Sequence, residues 1–296
     1  MPDSEPFVVL VTGTSSGFGR LISLELARRG HQVYASMRDP DGRNAAGRRA
    51  LTDVARRERL DLVVTELDVT DEASVAAAVA AVVGGAGRID AVVNNAGRGA
   101  WGLNEAFEID QVRALFDVNV FGALRVNRAV LPHLRAQGSG LLVQMGSVLG
   151  RVVWPLTGVY AATKHALEAI AESYRYDLAR LGIDSVVVEP GAYPTGLAGD
   201  SMMLPADRDR SKAYGEFRHA VAGDRFVAHD PDPQDVATAV ADLVAMTPGT
   251  RPLRTTVGID TKGADEINQA SAAAHRQLYD DLGLRSMLSV PGERLP

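Results

Sequence analysis

The sequence contains no cysteine, and this absence excludes disulfide scaffolds, thiolate zinc sites and cysteine nucleophiles. It has no apolar run near the roughly 20 residues that cross a bilayer, and its start, MPDSEPFVVLVTG, lacks the order of a signal peptide. Neither sign of charge dominates, since 31 basic and 37 acidic residues give a net charge of −6. A nucleic-acid-binding surface would need an excess of basic residues, so we expect none. The six histidines have no metal-ligand spacing. We therefore expect a cytoplasmic protein that binds no nucleic acid, membrane or metal ion.

What the sequence does contain is a regular alternation of short apolar runs and longer stretches with helical spacing. Alternating strands and helices predict βαβ units on a parallel sheet. We therefore predict an α/β fold, a doubly wound parallel sheet of about seven strands with helices on both faces. The predicted strands are Phe7–Val11, Gln32–Ser36, Leu62–Glu66, Ala91–Val93, Leu141–Met145, Ser185–Val188 and Arg254–Gly258. The predicted helices are Leu21–Arg29, Glu72–Val83, Val112–Leu134, Ala161–Leu181, Asp232–Met246 and Ala264–Leu282.

The middle of the chain shows no linker and no change of composition, so we predict one domain over residues 1–296. Residues 197–230 mix apolar and charged residues without a clear period. Such an irregular stretch late in an α/β fold is where substrate loops lie, and we interpret it as a substrate-loop insertion. Residues 261–296 are predicted to form a helical extension at the C-terminus.

The first strand leads directly into a glycine-rich turn, TGTSSGFG at 12–19, which is followed by a helix. Its glycines allow a tight turn, a close approach to a pyrophosphate and close packing of helix on strand. The N–H groups at the helix N-terminus then suit phosphate. A tight connection without a ligand is the alternative, because short glycine motifs are weak signals by themselves.

The end of the second strand indicates which dinucleotide this turn would bind. An NAD site places an acid there to bind the ribose 2′-hydroxyl, whereas this chain has Met37 followed by Arg38. A guanidinium is a good partner for a 2′-phosphate, so we predict NADP(H), with Ser16 as a second phosphate contact. In the alternative, Arg38 is solvated and Asp39 serves NAD.

Tyr160 and Lys164 lie four residues apart in the segment YAATK, and therefore on one face of a predicted helix. An ammonium beside a phenol is expected to lower the phenol's pKa from about 10, which makes the tyrosine a better proton donor to a carbonyl oxygen. The pair alone is common on helices and usually structural. Ser147 follows the fifth strand and Asn119 lies in the helix after the fourth, so the pair does not stand alone.

Together these segments resemble the short-chain dehydrogenase/reductase family in its shorter, single-domain type with a Rossmann-type fold. The segments VYASMRDP and LRTTVGID resemble its steroid- and retinol-dehydrogenase-like branch. Gly146 is a departure, since many relatives carry a second serine there. The matching motifs, in family order, are TGTSSGFG at 12–19, Asp68, NNAG at 94–97, Asn119, Ser147, YAATK at 160–164, and Pro190-Gly191 with Thr195.

The resemblance implies a role for each matching residue. Tyr160 would be the general acid in reduction and the base in oxidation. Lys164 would hold the nicotinamide ribose and lower the pKa of Tyr160. Ser147 would polarise the substrate carbonyl, and Asn119 would hold a water that links Lys164 to solvent. The residues expected to bind the cofactor are Gly13, Ser15, Ser16, Gly17, Phe18, Gly19, Arg38, Asp68, Val69, Asn95, Ala96, Gly97, Tyr160, Lys164, Pro190, Gly191, Tyr193 and Thr195.

The expected reaction is NADP(H)-dependent interconversion of a carbonyl and an alcohol, most simply reduction of a hydrophobic ketone. The resemblance also implies a homodimer or homotetramer. One rival hypothesis is a non-catalytic NADP(H) sensor, although such proteins typically lose the tyrosine or the lysine. A second is an epimerase or dehydratase, which would need another glycine pattern. Apolar residues expected to line the substrate site, or else to form the loop's own small core, are Leu149, Trp154, Tyr193, Leu197, Met202 and Met203.

Overall fold

The computed structural model describes residues 6–193, 202–215, 231–288 and 290. Within them, strands and helices alternate as the sequence predicts. The strands are β1 (Val8–Thr12), β2 (Gln32–Met37), β3 (Leu62–Glu66), β4 (Ala91–Asn94), β5 (Gly140–Met145), β6 (Ile183–Pro190) and β7 (Arg254–Val257). The helices are α1 (Gly17–Arg28), α2 (Ala45–Glu58), α3 (Glu72–Ala86), α4 (Ile109–Phe116), α5 (Gly122–Gln137), α6 (Gly158–Leu178), α7 (Arg208–Ala213), α8 (Gln234–Ala245) and α9 (Lys262–Asp281).

The seven strands form one parallel sheet in the order β3-β2-β1-β4-β5-β6-β7. The prediction of a doubly wound parallel sheet is confirmed. The chain reverses its direction of winding between β1 and β4. In such sheets a crevice opens at this point, outside the carboxyl ends of the strands, and ligands bind there.

Alternate residues of each strand face opposite sides of the sheet, and each side carries its own hydrophobic core. In β1, Val9 and Val11 pack with the cluster that includes α1, α2 and α8, whereas Val8 and Leu10 pack with the cluster that includes α3, α5 and α6. Because both faces are covered, inner strands such as β1 and β6 are buried along their whole length.

The predicted helix over residues 112–134 is not continuous. A π-helical turn at Asp117–Phe121 separates α4 from α5, and Asn119 lies within this turn. Such turns insert an extra residue into the helical ladder and are frequent at functional sites. The apolar spacing on either side hides the interruption from the sequence.

A buried ion-pair cluster joins α6, β6 and the segment before β7. The Asp184 carboxylate on β6 accepts hydrogen bonds from Arg175 at 2.9 Å and Arg251 at 2.6 Å, and all three side chains are at most 6% exposed.

The described helices include none that is both long and apolar enough to span a membrane.

Candidate active site

The glycine-rich turn connects β1 to α1 at the crevice. Gly13 has a φ of +72°, and a Cβ atom on Gly19 would overlap the Gly13 carbonyl oxygen, so both positions require glycine. The side chain of Ser16, which precedes α1, caps none of the helix's N–H groups within the described part of the chain. These N–H groups and the close backbone approach fit a pyrophosphate.

The NNAG segment after β4 braces this turn from the neighbouring strand. The Asn95 amide donates to the carbonyls of Thr12 at 2.9 Å and Gly13 at 3.0 Å. In return, the Thr12 hydroxyl accepts the backbone N–H groups of Asn95 and Ala96, each at 3.0 Å. Asn95 was predicted as a cofactor contact, and the structure places its amide under the turn, where it fixes the turn's shape.

Arg38 lies at the end of β2 with its side chain 48% exposed, beside Asp68. The Nη1 atom of Arg38 is 3.6 Å from Oδ2 of Asp68. Burial of the Asp68 carboxyl favours a raised pKa, but the Thr70 hydrogen bonds and the Arg38 charge outweigh it and lower the pKa. Asp68 is therefore an anion that pairs with Arg38. Val69, which was also predicted to bind the cofactor, has its side chain buried against α5 at Gly122.

Ser147, Tyr160 and Lys164 converge where β5 ends and α6 begins. The Tyr160 side chain lies beside Ser147, and the Ser147 hydroxyl accepts the Leu149 N–H at 3.1 Å. Lys164 lies one helical turn beyond Tyr160, with its Nζ atom 5.7 Å from the centre of the tyrosine ring. All three side chains are buried. The structure therefore brings together three of the four residues that were predicted to be catalytic.

The expected lowering of the Tyr160 pKa by Lys164 is wrong for this structure. Burial raises the pKa of Tyr160, and the neighbouring Ser147 side chain opposes the rise without cancelling it. The Lys164 ammonium donates to the Met145 carbonyl at 2.6 Å, so its charge is turned toward the end of β5. Burial lowers the pKa of Lys164 to about 8. Helical spacing alone could not show which acceptor the ammonium would choose.

Asn119, the fourth predicted catalytic residue, ties the segment after β4 to α6. Its side-chain oxygen accepts the Arg98 N–H at 2.8 Å, and its amide donates to the Arg98 carbonyl at 2.9 Å and to the Thr163 hydroxyl at 3.1 Å. The side chain is buried, and it lies against Gly97. The π-helical turn brings Asn119 to this position.

The predicted substrate-lining residues do not lie together. Leu149 and Met203 pack with Tyr160 in one apolar cluster, and Met203 is fixed by a two-way backbone bridge with residues 99 and 101. Trp154 instead lines a cavity of about 370 Å³ bordered by residues 102–104, 153–156 and 158, and none of the four predicted catalytic residues lines it. Met202 is partly exposed beside Met203.

Tyr193 lies toward the glycine-rich turn. Its ring meets that of Phe18 edge-on, with ring centres 5.4 Å apart, and it packs closely against Gly258. Pro190 and Gly191 end β6, where the Gly191 N–H donates to the Val257 carbonyl at 2.9 Å. Thr195 and Leu197 lie outside the described residues.

Sequence reasoning did not single out Glu168, although it is buried directly behind Ser147. The available signal was its spacing, since Tyr160, Lys164 and Glu168 follow one another every four residues on one helix face. A glutamate at that spacing is usually a surface residue, and nothing in the sequence marks this one as buried.

Comparison with known proteins agrees with this geometry. The sequence pattern of the short chain dehydrogenase family matches residues 7–203. A crystal structure of a short-chain dehydrogenase from Streptomyces avermitilis superposes with a TM-score of 0.77 at 32% identity, covering 94% of this chain and 98% of that one. The chain belongs to the short-chain dehydrogenase family.

Two relatives of known name point to one branch of that family. Human retinol dehydrogenase 8 is 32% identical over 295 residues, which cover 93% of this chain and 91% of that protein. The mouse 17-beta-hydroxysteroid dehydrogenase type 1 is 36% identical over 242 residues, which cover 78% of this chain and 68% of that protein. The protein is thus an oxidoreductase of the steroid- and retinol-dehydrogenase-like branch, and it acts on CH–OH groups or the matching carbonyls. Proteins of this family bind nicotinamide cofactors, in some cases NADP and in others NAD.

Proposed function

We propose that this protein is an NADP(H)-dependent reductase of hydrophobic ketones, with Tyr160 as its acid and base. The observation that carries the proposal is the convergence of the buried Ser147 and Tyr160 side chains, with Lys164 one turn away, at the carboxyl edge of the sheet. Two neighbouring hydroxyls can both bind a single carbonyl oxygen. The glycine-rich turn lies at the same edge, and a parallel sheet of this topology binds its ligands there.

Each residue then has one task. The cofactor, when bound, supplies the hydride. Ser147 donates a hydrogen bond to the carbonyl oxygen, and Tyr160 gives that oxygen its proton. The raised pKa of Tyr160 keeps the phenol protonated before the reaction, as a proton donor requires. The pKa of Lys164, about 8, lies just above neutral pH. Its ammonium holds a positive charge one helical turn from the phenol and donates to the cofactor's ribose.

The preference for NADP(H) rests on Arg38. Among the described residues, its exposed guanidinium at the end of β2 forms one long ion pair, with Asp68, which leaves other donors for a 2′-phosphate. Asp39, the alternative partner for an NAD ribose, instead accepts the N–H groups of residues 42 and 43. Because Asp39 already accepts these two N–H groups, the site favours a cofactor with a 2′-phosphate over one with a free 2′-hydroxyl.

A hydrophobic substrate is supported by the apolar surface beside Tyr160. Leu149 and Met203 pack against the tyrosine and offer no polar group of their own. The named relatives include a steroid and a retinol dehydrogenase, whose substrates are large and apolar. We therefore propose bulky ketones or aldehydes with few polar groups as the substrate class.

The test is NADPH consumption by the purified protein over a panel of hydrophobic ketones and aldehydes. Tyr160→Phe removes one hydroxyl, and we expect it to lower turnover by roughly a hundredfold or more while NADPH affinity stays within about twofold. Tyr174→Phe is the matched control, because Tyr174 lies on the same helix and packs into the core under α3 and α5. Near-normal turnover in Tyr160→Phe would remove the tyrosine from the chemistry. NADPH binding without any turnover would favour the sensor hypothesis.

A homodimer or homotetramer in the cytoplasm remains a prediction from the resemblance. Light scattering on the purified protein measures the oligomeric state, and a monomer at micromolar concentration would contradict it.

A further inference from the structure

A cluster of buried charges lies directly behind the Ser147 segment. Glu168 on α6 and Glu189 on β6 are 1% and 0% exposed, respectively. The Nε atom of Arg254 on β7 is 3.8 Å from Glu168 Oε2 and 3.3 Å from Glu189 Oε1. The same guanidinium donates to Glu172 at 2.6 Å. The Arg254 guanidinium therefore faces three carboxyl groups in a water-poor interior.

The two innermost carboxyl groups are not satisfied if both are ionised. Glu168 Oε2 and Glu189 Oε1 are buried without a hydrogen-bond partner in the described part of the chain. Carboxylates only accept hydrogen bonds, so two of them cannot pair until one carries a proton. Two like charges at this depth are also strongly unfavourable. A proton on Glu168 Oε2, directed at Glu189, satisfies both oxygens at once.

The other oxygen of Glu168 faces the catalytic segment. Oε1 accepts the Ser147 N–H at 3.4 Å. A Cβ atom on Gly146 would lie 2.6 Å from this oxygen, and one on Gly150 would overlap it. Glycine on both sides of Ser147 thus lets the segment close onto the carboxyl group. This also explains Gly146, the departure from the family's usual serine.

We propose that Glu168 is a positioning residue that stays protonated at neutral pH, donates to Glu189, and holds Ser147 in register with Tyr160 through the Ser147 N–H. The positioning part of this proposal rests on the proposed function, whereas the protonation part does not. The proton is retained throughout the reaction, so no further reactant is needed. A neutral group at this position also spares the site a negative charge.

That charge would matter because Glu168 shares a helix face with Lys164 and Tyr160. An ionised Glu168 raises the pKa of both. Burial and the nearby Glu189 raise the pKa of Glu168 itself well above its ordinary value, against the pull of Arg254. The other charged, titratable or polar groups that face the cluster are Glu172 on α6, Arg151 after Ser147, and Asn268 and His275 on α9.

Infrared spectroscopy tests the protonation without any substrate. We expect wild-type protein at pH 7 to show the carbonyl band of a buried carboxylic acid, and we expect Glu168→Gln to lose it. The matched control is Glu172→Gln, one turn further along α6 and bonded to the same Arg254, which should keep the band. A band that is absent from wild type, or that persists in Glu168→Gln, would overturn the assignment even if no substrate is ever found.

Kinetics test the positioning. Glutamine mimics a protonated glutamate, so Glu168→Gln should keep kcat within about threefold. It should also leave unchanged the pH at which the rate falls on the alkaline side, where Lys164 loses its charge. Glu168→Ala should lower kcat by roughly tenfold to a hundredfold with little change in KM for NADPH, because Ser147 loses its support. Gly150→Ala disturbs the same contact and should lower kcat similarly. The role would be refuted if kcat fell as far in Glu168→Gln as in Glu168→Ala, or if it fell equally in Glu172→Ala. It would also be refuted if the rate of Glu168→Gln began to fall at a lower alkaline pH than that of the wild type.

Discussion

Replacing Arg38 with alanine should weaken the binding of NADPH and leave the binding of NADH nearly unchanged. The guanidinium lies at the end of β2, where the ribose of a dinucleotide in the crevice would come to rest. Only NADPH carries a 2′-phosphate for it to bind. The difference between the two cofactors therefore isolates this one interaction, because losses elsewhere affect both equally.

The structure sets the size of the effect. A hydrogen bond to a charged group contributes about 1.5 to 3 kcal/mol. The 2′-phosphate competes with Asp68 for the Arg38 guanidinium, and the Arg38–Asp68 pair, at 3.6 Å and half-exposed, is worth at most about 1 kcal/mol. After the full 1 kcal/mol is subtracted, a net contribution of about 0.5 to 2 kcal/mol remains, which corresponds to a roughly twofold to thirtyfold weaker affinity for NADPH.

The assay is a titration of each variant with NADPH and with NADH, followed by protein fluorescence or calorimetry. Arg49→Ala is the control, since it removes an exposed arginine from α2 and the same unit of net charge. Asp68→Asn should move the NADPH-to-NADH ratio the other way, by up to about fivefold, because it frees Arg38. Equal losses of NADPH and NADH affinity in Arg38→Ala would refute the reasoning.

Two further predictions concern pH and stability. Because burial lowers the Lys164 pKa to about 8, its positive charge is lost as the pH rises through 8, and kcat/KM for NADPH should fall there. Lys164→Arg should abolish this fall at alkaline pH. A wild-type kcat/KM that stays constant up to pH 10 would contradict the prediction. Asp184→Asn leaves the buried Arg175 and Arg251 without their counter-charge, so urea unfolding should show a loss of about 3 to 5 kcal/mol. The control is Asp110→Asn, which breaks an exposed pair and should change stability by no more than about 0.5 kcal/mol. A loss below about 1 kcal/mol in Asp184→Asn would contradict the argument.

The order of strands and helices could be predicted from the sequence, because it depends on local patterns. The run VVLVT in β1 is almost wholly apolar because helices cover both faces of the sheet, and that coverage follows from the alternation itself. The glycine-rich turn is also largely local, since Gly13 has a positive φ and a Cβ atom on Gly19 would overlap the Gly13 carbonyl oxygen. The YAATK pair was visible because helix geometry alone puts Tyr160 and Lys164 on one face.

Only the tertiary structure decided how these groups interact. The Lys164 ammonium donates to the Met145 carbonyl, and burial raises the pKa of Tyr160. Burial depends on which elements pack together, and no spacing along one helix records it. The same holds for Glu168, whose partners Glu189 and Arg254 come from two strands far away in the sequence. The sequence by itself therefore determined the fold and predicted the reactive residues, whereas packing between distant segments set the charges and the orientation of these side chains.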